Sequence, residues 1–168
     1  MRIRQIALVA REIEHVKTTL SSLLGAEQIF VDPKMVIFGC ENIIFTIGDT
    51  FLEVVSPIKD GTTAGRLLDR RGGDGGYMVI VQVNDLKSEK NRLNDTDIRI
   101  IWETESERAA AIHLHPKDVP GAIASLDWMA PPGAWYWAGE GWDKRRARYA
   151  QSITAAEIQS DDPDEVAK

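Results

Sequence analysis

Gln5-Ile-Ala-Leu-Val-Ala-Arg-Glu-Ile13 and Met78-Val-Ile-Val-Gln-Val-Asn-Asp-Leu86 say a similar thing twice in one chain. Each is an apolar run of strand character that gives way to a run of helical period, reaching Leu20 in the first case and Leu93 in the second. The offset is constant: 78 − 5, 86 − 13 and 93 − 20 all equal 73. A further pair of strand-like stretches, Phe51-Leu-Glu-Val-Val55 and Ile123-Ala-Ser-Leu-Asp127, sets Glu53 against Ser125 at 125 − 53 = 72. The chain therefore reads as two copies of one unit whose matched polar positions differ. Gln5 and Glu53 in the first copy face Met78 and Ser125 in the second.

Working outward, residues 2–10 alternate as a strand should, with Ile3, Gln5, Ala7 and Val9 on one face. Residues 12–24 switch to a helical stripe of Ile13, Val16, Leu20, Leu23 and Leu24, with Gly25 as a natural stop. Strand-like runs follow around 27–31, 34–39, 42–47 and 50–56, the last two joined by a Gly48-Asp49 turn. Ala64–Arg71 suits a short helix. Gly72-Gly-Asp-Gly-Gly76 precedes a strand, so it lacks the strand-to-helix context of a phosphate cradle and reads as a connector. The second copy runs as strand 77–83, helix 85–94 and strands 97–103, 109–115 and 122–127. The predicted organisation is a first βαβββ module over 1–57, a connector over 58–76, a second module over 77–127 and a C-terminal extension over 128–168. That extension carries four of the five tryptophans within Trp128–Trp142 and an acidic stretch, Asp161–Glu165, expected to fray.

At 168 residues the chain is long enough to bury a sizeable core. The single Cys40 excludes an internal disulfide framework and suits a small buried residue. A net charge of −6 argues against a nucleic-acid partner, since phosphate binding needs clustered cations. The one basic cluster, Lys144, Arg145, Arg146 and Arg148, reads as a solvated helix face. No charged leader or long apolar run is seen, so a cytoplasmic setting with no membrane partner is expected.

Gln5–Ile13, Leu52-Glu-Val-Val-Ser-Pro57, the Leu67–Met78 connector and His115-Pro-Lys-Asp118, in that order and with the internal offset, resemble the vicinal oxygen chelate superfamily of glyoxalases, bleomycin-resistance proteins and extradiol dioxygenases. The similarity covers about residues 3–127 and is greatest to the methylmalonyl-CoA epimerase and glyoxalase-like branch. It implies an α+β fold: two tandem βαβββ modules forming curled mixed sheets around a shared cleft, often in a homodimer. It also implies metal ligands on the first and last strands of each module. By position these are Gln5 and Glu53, an incomplete set for a divalent metal, while Met78 and Ser125 depart from the pattern. Under the family mechanism Glu53 shuttles a proton beside a carbonyl and the metal stabilises the enediolate.

Two further features bear on the site. His113 and His115 alternate on one strand, where they point with Glu53 to a displaced metal or acid/base site, or else belong to an ordinary packed face and turn. Trp135 and its neighbours either form an aromatic lid over a ligand or pack the extension onto the sheet. The expected function is an isomerase, epimerase or lyase acting on a small carbonyl or acyl-thioester substrate. Its alternative, favoured by Met78, Ser125 and the tryptophans, is a non-catalytic protein that sequesters an apolar or aromatic ligand.

Overall fold

The computed structural model describes residues 1–166. The chain is α+β, with seven strands in mixed parallel and antiparallel pairing. The elements in order are β1 (Arg2–Val9), α1 (Ile13–Leu24), β2 (Cys40–Ile47), β3 (Thr50–Pro57), α2 (Thr63–Arg71), β4 (Gly75–Gln82), α3 (Leu86–Leu93), β5 (Ile100–Glu105), β6 (Ala109–Leu114), β7 (Ile123–Met129) and α4 (Pro163–Val166). No helix among the described residues is long and apolar enough to cross a membrane. Contacts divide the chain into two compact units, one of Gln5–Tyr77 with Trp135–Ile153, the other of residues 1–4, 78–134 and 154 onward.

In the Gln5–Tyr77 unit the strands run β2-β3-β1, with β2 and β3 an antiparallel hairpin and β3 parallel to β1. The hairpin turns at Gly48-Asp49, where Ile47 pairs with Thr50 and Gly48 takes φ 63°, as the sequence predicts. Alternation then splits the side chains between two faces. One face carries Ile43, Phe45, Ile47 and Val54, and α1 lies against it through Ile13, Val16, Leu20 and Leu24. Gly25 ends α1 in the left-handed conformation and donates its N–H to the Ser21 carbonyl. Leu23, expected on the buried stripe, is 68% exposed. At 100° per residue it sits roughly 80° from Ile13, past the edge of the buried stripe.

The runs 27–31 and 34–39, predicted as strands, are not strands. The first is reduced to an isolated bridge between Phe30 and Ile44, and the second is a 3-10 helix, Pro33–Phe38. Pro33 removes a donor that a sheet needs, the Asp32 side chain accepts the Lys34 N–H at 2.9 Å, and Gly39 closes the turn at φ 68°.

The segment 135–153 belongs to this same unit. Arg146 bridges in parallel to Thr46, the Ala147 N–H reaches the Thr46 carbonyl at 2.7 Å, and the Ile153 N–H reaches Thr50 Oγ1 at 2.8 Å. The segment thus touches the edge strand β2 at Thr46, the end of α1 through the Arg148 and Tyr149 N–H groups, and the start of β3 at Thr50. The basic cluster is solvated as expected at Lys144, Arg146 and Arg148, but it is not a helix face, and Arg145 is half-buried. The Arg145 guanidinium lies 5.5 Å from the Phe30 ring and donates to the Ala138 and Glu140 carbonyls, Arg146 stands over Trp142, and Arg148 pairs with Glu27 at 2.6 Å.

In the other unit the order is β4-β7-β6-β5, β4 and β7 being parallel and the rest antiparallel. Helix α3 is capped by Asp85, whose carboxylate accepts the Ser88 N–H at 3.0 Å, and it packs Leu86 and Leu93 against Ala110, Ile112 and Leu126. The predicted strand 97–103 begins only at Ile100, because Arg99 is tied to Asp118 through its backbone and guanidinium. The acidic end, expected to fray, contains the short α4.

Candidate functional site

Strand register brings the first pair together. Gln5 lies opposite Phe51 in the parallel β1–β3 ladder, and Ile44 lies opposite Glu53 in the β2–β3 hairpin. Period-2 alternation then puts Gln5, Phe51, Glu53, Ile44 and Asn42 on one face, the one that α1 does not cover. Gln5 and Glu53 meet as expected: Gln5 Nε2 donates to Glu53 Oε2 at 2.8 Å. From the other side Asn42 Nδ2 donates to Glu53 Oε1 at 2.6 Å.

Two outer donors complete the chain. The Trp135 indole N–H donates to Gln5 Oε1 at 2.7 Å, and the Asp32 backbone N–H donates to Asn42 Oδ1 at 2.9 Å. All four side chains are deep: Trp135 is 1% exposed, Gln5 and Asn42 2%, and Glu53 7%. Trp135 stacks on Phe51 with centroids 5.9 Å apart and planes 11° apart, while Trp142 meets the Phe51 ring edge-on at 5.3 Å.

Burial raises the Glu53 pKa above the ordinary carboxylate range; the hydrogen bonds from Asn42 and Gln5 oppose that shift and the charge of Asp32 adds to it. The same field reaches two neighbours. Burial first, then the charges of Cys40 and Glu53, push the Tyr77 phenol up to about 12, and burial likewise pushes the Cys40 thiol up. Cys40 is buried and free, as its sequence context suggests.

The second copy repeats the register with different chemistry. Met78 lies opposite Ile123, two residues before Ser125, as Gln5 lies opposite Phe51, two before Glu53. Ser125 is buried, and its hydroxyl lies 2.5 Å from Asp127 Oδ1 and 3.2 Å from the Ile112 carbonyl, either of which accepts its proton. Met78 is buried as well. His113 lies opposite both Trp102 and Ser125, its ring 4.4 Å from the indole, and burial lowers its pKa to about 4.

Of the residues expected to share a displaced site, His113 and His115 belong to one compact unit and Glu53 to the other. His115 has already left β6, and its Nδ1 accepts the Lys117 N–H at 3.0 Å within a turn. Among the described residues no three or more His, Cys, Asp or Glu side chains are grouped so as to hold a metal ion. In this arrangement Gln5 and Glu53 do not fit a divalent ion either. The amide oxygen that a cation needs already accepts the indole N–H, and the amide nitrogen, which no cation binds, faces the carboxylate.

No protein-family model matches the chain. Among curated proteins it is 24% identical over 134 residues to the ethylmalonyl-CoA/methylmalonyl-CoA epimerase of Cereibacter sphaeroides, spanning 75% of this chain and 96% of that protein. It is 25% identical over 130 residues to the mitochondrial methylmalonyl-CoA epimerase of Bos taurus, spanning 75% and 73%. Solved structures with the same fold include the Mycobacterium tuberculosis methylmalonyl-CoA epimerase, with TM-score 0.67 at 17% identity over 77% of this chain and 89% of that one. Another is a Streptomyces coelicolor methylmalonyl-CoA epimerase variant in complex with 2-nitronate-propionyl-CoA, with TM-score 0.64 at 18% identity over 77% and 98%.

The chain has the fold of these epimerases, that of the vicinal oxygen chelate superfamily which its sequence resembles.

The sequence pointed to Gln5, Glu53 and Trp135, and the fold brings those three into one hydrogen-bonded chain. Met78, Ser125 and His113 belong to the other compact unit. Sequence reading passed over Asn42, Phe51 and Asp32. Asn42 carried a usable signal, a lone amide inside Ile43-Ile-Phe-Thr-Ile47 and its flanks, a run otherwise fit for burial. The partners of Trp135 carried none, because 130 positions separate it from Gln5.

Proposed function

We propose that this protein is a vicinal oxygen chelate epimerase of acyl-CoA thioesters, in which Glu53 moves the proton on the carbon next to the thioester carbonyl. The observation that carries the reading is the two-sided clamp on a buried carboxylate. Amide N–H groups hold both oxygens of Glu53, while burial raises its affinity for a proton. A base in that setting is oriented and sits closer to neutrality than a solvated glutamate, the condition general base catalysis asks for. Taking the C2 proton leaves a planar enolate thioester and a protonated Glu53; a proton delivered from solvent to the opposite face inverts the centre, and Glu53 gives its own proton back to solvent, which restores the base. The two curated relatives, both malonyl-type acyl-CoA epimerases, support the substrate class. The reading includes a homodimer in the cytoplasm, which sizing chromatography and fractionation test.

The experiment is to incubate the purified chain with one stereoisomer of methylmalonyl-CoA in D2O. Epimerisation is expected to appear with deuterium at C2, read by NMR. Retention of both configuration and protium by a folded sample would sink the proposal. A second reading, sequestration of a flat apolar ligand, is favoured by the stacked Phe51 and Trp135 beside the polar pair. Saturable tryptophan quenching without deuterium incorporation is its signature.

A further inference from the structure

Trp135 lies beyond the repeat, yet its indole is the outermost donor in the chain that ends on Glu53. We propose that Trp135 is a positioning residue that acts on Glu53 through Gln5, its indole N–H fixing which end of the Gln5 amide faces the carboxylate.

The argument is one of polarity. The two ends of a glutamine amide are alike in shape and opposite in character, one accepting and the other donating. Turned by half a rotation, Gln5 would set its carbonyl oxygen against Glu53, oxygen against oxygen. An indole N–H donates and never accepts, so it admits only the orientation in which Oε1 faces Trp135 and Nε2 faces Glu53. Asn42 is set the same way on the other flank, by the backbone N–H of Asp32, which is also donor-only. Both amides that clamp the base are thus oriented from outside, one by the 3-10 turn at Asp32 and one by the C-terminal extension.

The indole is itself held in place. It stacks on Phe51, the residue two before Glu53 on the same strand face, and Phe51 in turn meets Trp142. A phenylalanine at 135 would keep the stacking and lose the donor, which separates packing from positioning. The same hydrogen bond occupies the amide oxygen that the family pattern assigns to a metal, so the extension commits Gln5 to Glu53.

The test uses the full chain as wild type, Trp135→Phe, Gln5→Met and the double variant. The turnover arm rests on the epimerase reading: kcat for C2 inversion of methylmalonyl-CoA is expected to fall roughly tenfold in W135F with KM within about twofold, the scale of a lost orienting contact. Because Trp135 acts through Gln5, the double variant is expected to be no slower than Q5M alone. An unchanged kcat in W135F, or losses that multiply in the double variant, would overturn the proposal.

A second arm needs no substrate and stands if wild type shows no turnover, an outcome that would refute the epimerase reading alone. Hydrogen exchange of the Gln5 side-chain amide, read by 15N NMR, is expected to quicken at least about tenfold in W135F while backbone amides of β1 and β3 keep their protection. Equal exchange in wild type and W135F, or loss of strand protection along with it, would count as packing alone and against positioning.

Discussion

A carboxylate as deeply placed as Glu53 must be either protonated or met by donors, and here donors meet both oxygens. Replacing it shows what that arrangement holds. In Glu53→Gln one end of the new amide presents N–H groups to the N–H groups of Gln5 or Asn42, leaving a buried donor unmet; the expected loss is about 1–3 kcal/mol in urea unfolding. C2 exchange is expected to fall by about a hundredfold or more in that variant. The pH dependence of stability has two opposed parts. His113 titrates near 4 in the fold against an ordinary 6.5, so the unfolded chain takes up the proton first as pH falls. Its contribution is present above 6.5 and is lost between there and about 4, a change on the order of 2 kcal/mol after allowing for partial exposure. Glu53 runs the other way, since a raised carboxylate pKa favours the fold at low pH and that contribution is lost as pH rises through its folded value. His113→Leu is expected to flatten the acid limb of a urea series between pH 7 and 4; an unaltered limb would refute the assignment. At this scale Gln5 and Glu53 were legible because strand alternation and a fixed offset both pointed at them. Their orientation was not, since it depends on an indole N–H that only the folded chain brings near.

The elements divide by how local their causes are. Helices α1, α2 and α3 and the Gly48-Asp49 hairpin were readable because cap, period and turn residues lie within a few positions of one another. The run Met35-Val-Ile-Phe38 misled because its apolar character suits a strand, while Pro33 and Gly39 at its ends favour a 3-10 turn. Gly39 is the more sensitive end. It sits at φ 68°, and an added Cβ would approach Thr62 Cγ2 at 2.9 Å. Gly39→Ala is therefore expected to cost about 1–2 kcal/mol, read as a lower denaturation midpoint with an unchanged m-value. Gly48 adds a second check on the hairpin, since a Cβ there would collide with the Gln151 carbonyl oxygen. Gly48→Ala is expected to loosen residues 148–153 before the rest of the chain, giving faster proteolysis in that segment alone.

For the whole molecule, the duplication gave the α+β architecture from sequence, because a repeated period is a property of the chain that needs no long-range contact to be seen. The place of the extension was not visible in that way. Residues 135–153 are an integral part of the Gln5–Tyr77 unit, held by the Thr46 bridge, the Thr50 contact and the aromatic stack on Phe51. A chain ending at residue 134 is expected to lose cooperative unfolding, whereas one ending at 153 is expected to keep the hydrogen-bonded chain from Trp135 to Glu53. Circular dichroism melts of the two distinguish them, and a cooperative melt of the shorter chain would contradict the integral role. Metal analysis of protein purified without chelator is expected to find less than one divalent ion per chain, given that Gln5 Oε1 is already engaged. The contact of Arg146 and Ala147 with Thr46 of β2 has a consequence for solubility. An exposed strand edge offers unpaired N–H and C=O groups on which a neighbouring chain can add itself, and the protein's own backbone meets this edge at Ile44, through Phe30, and at Thr46, through Arg146 and Ala147. A single proteolytic nick beside Arg146 and Ala147 would expose a template for intermolecular strand pairing, so clipped preparations are the ones expected to aggregate.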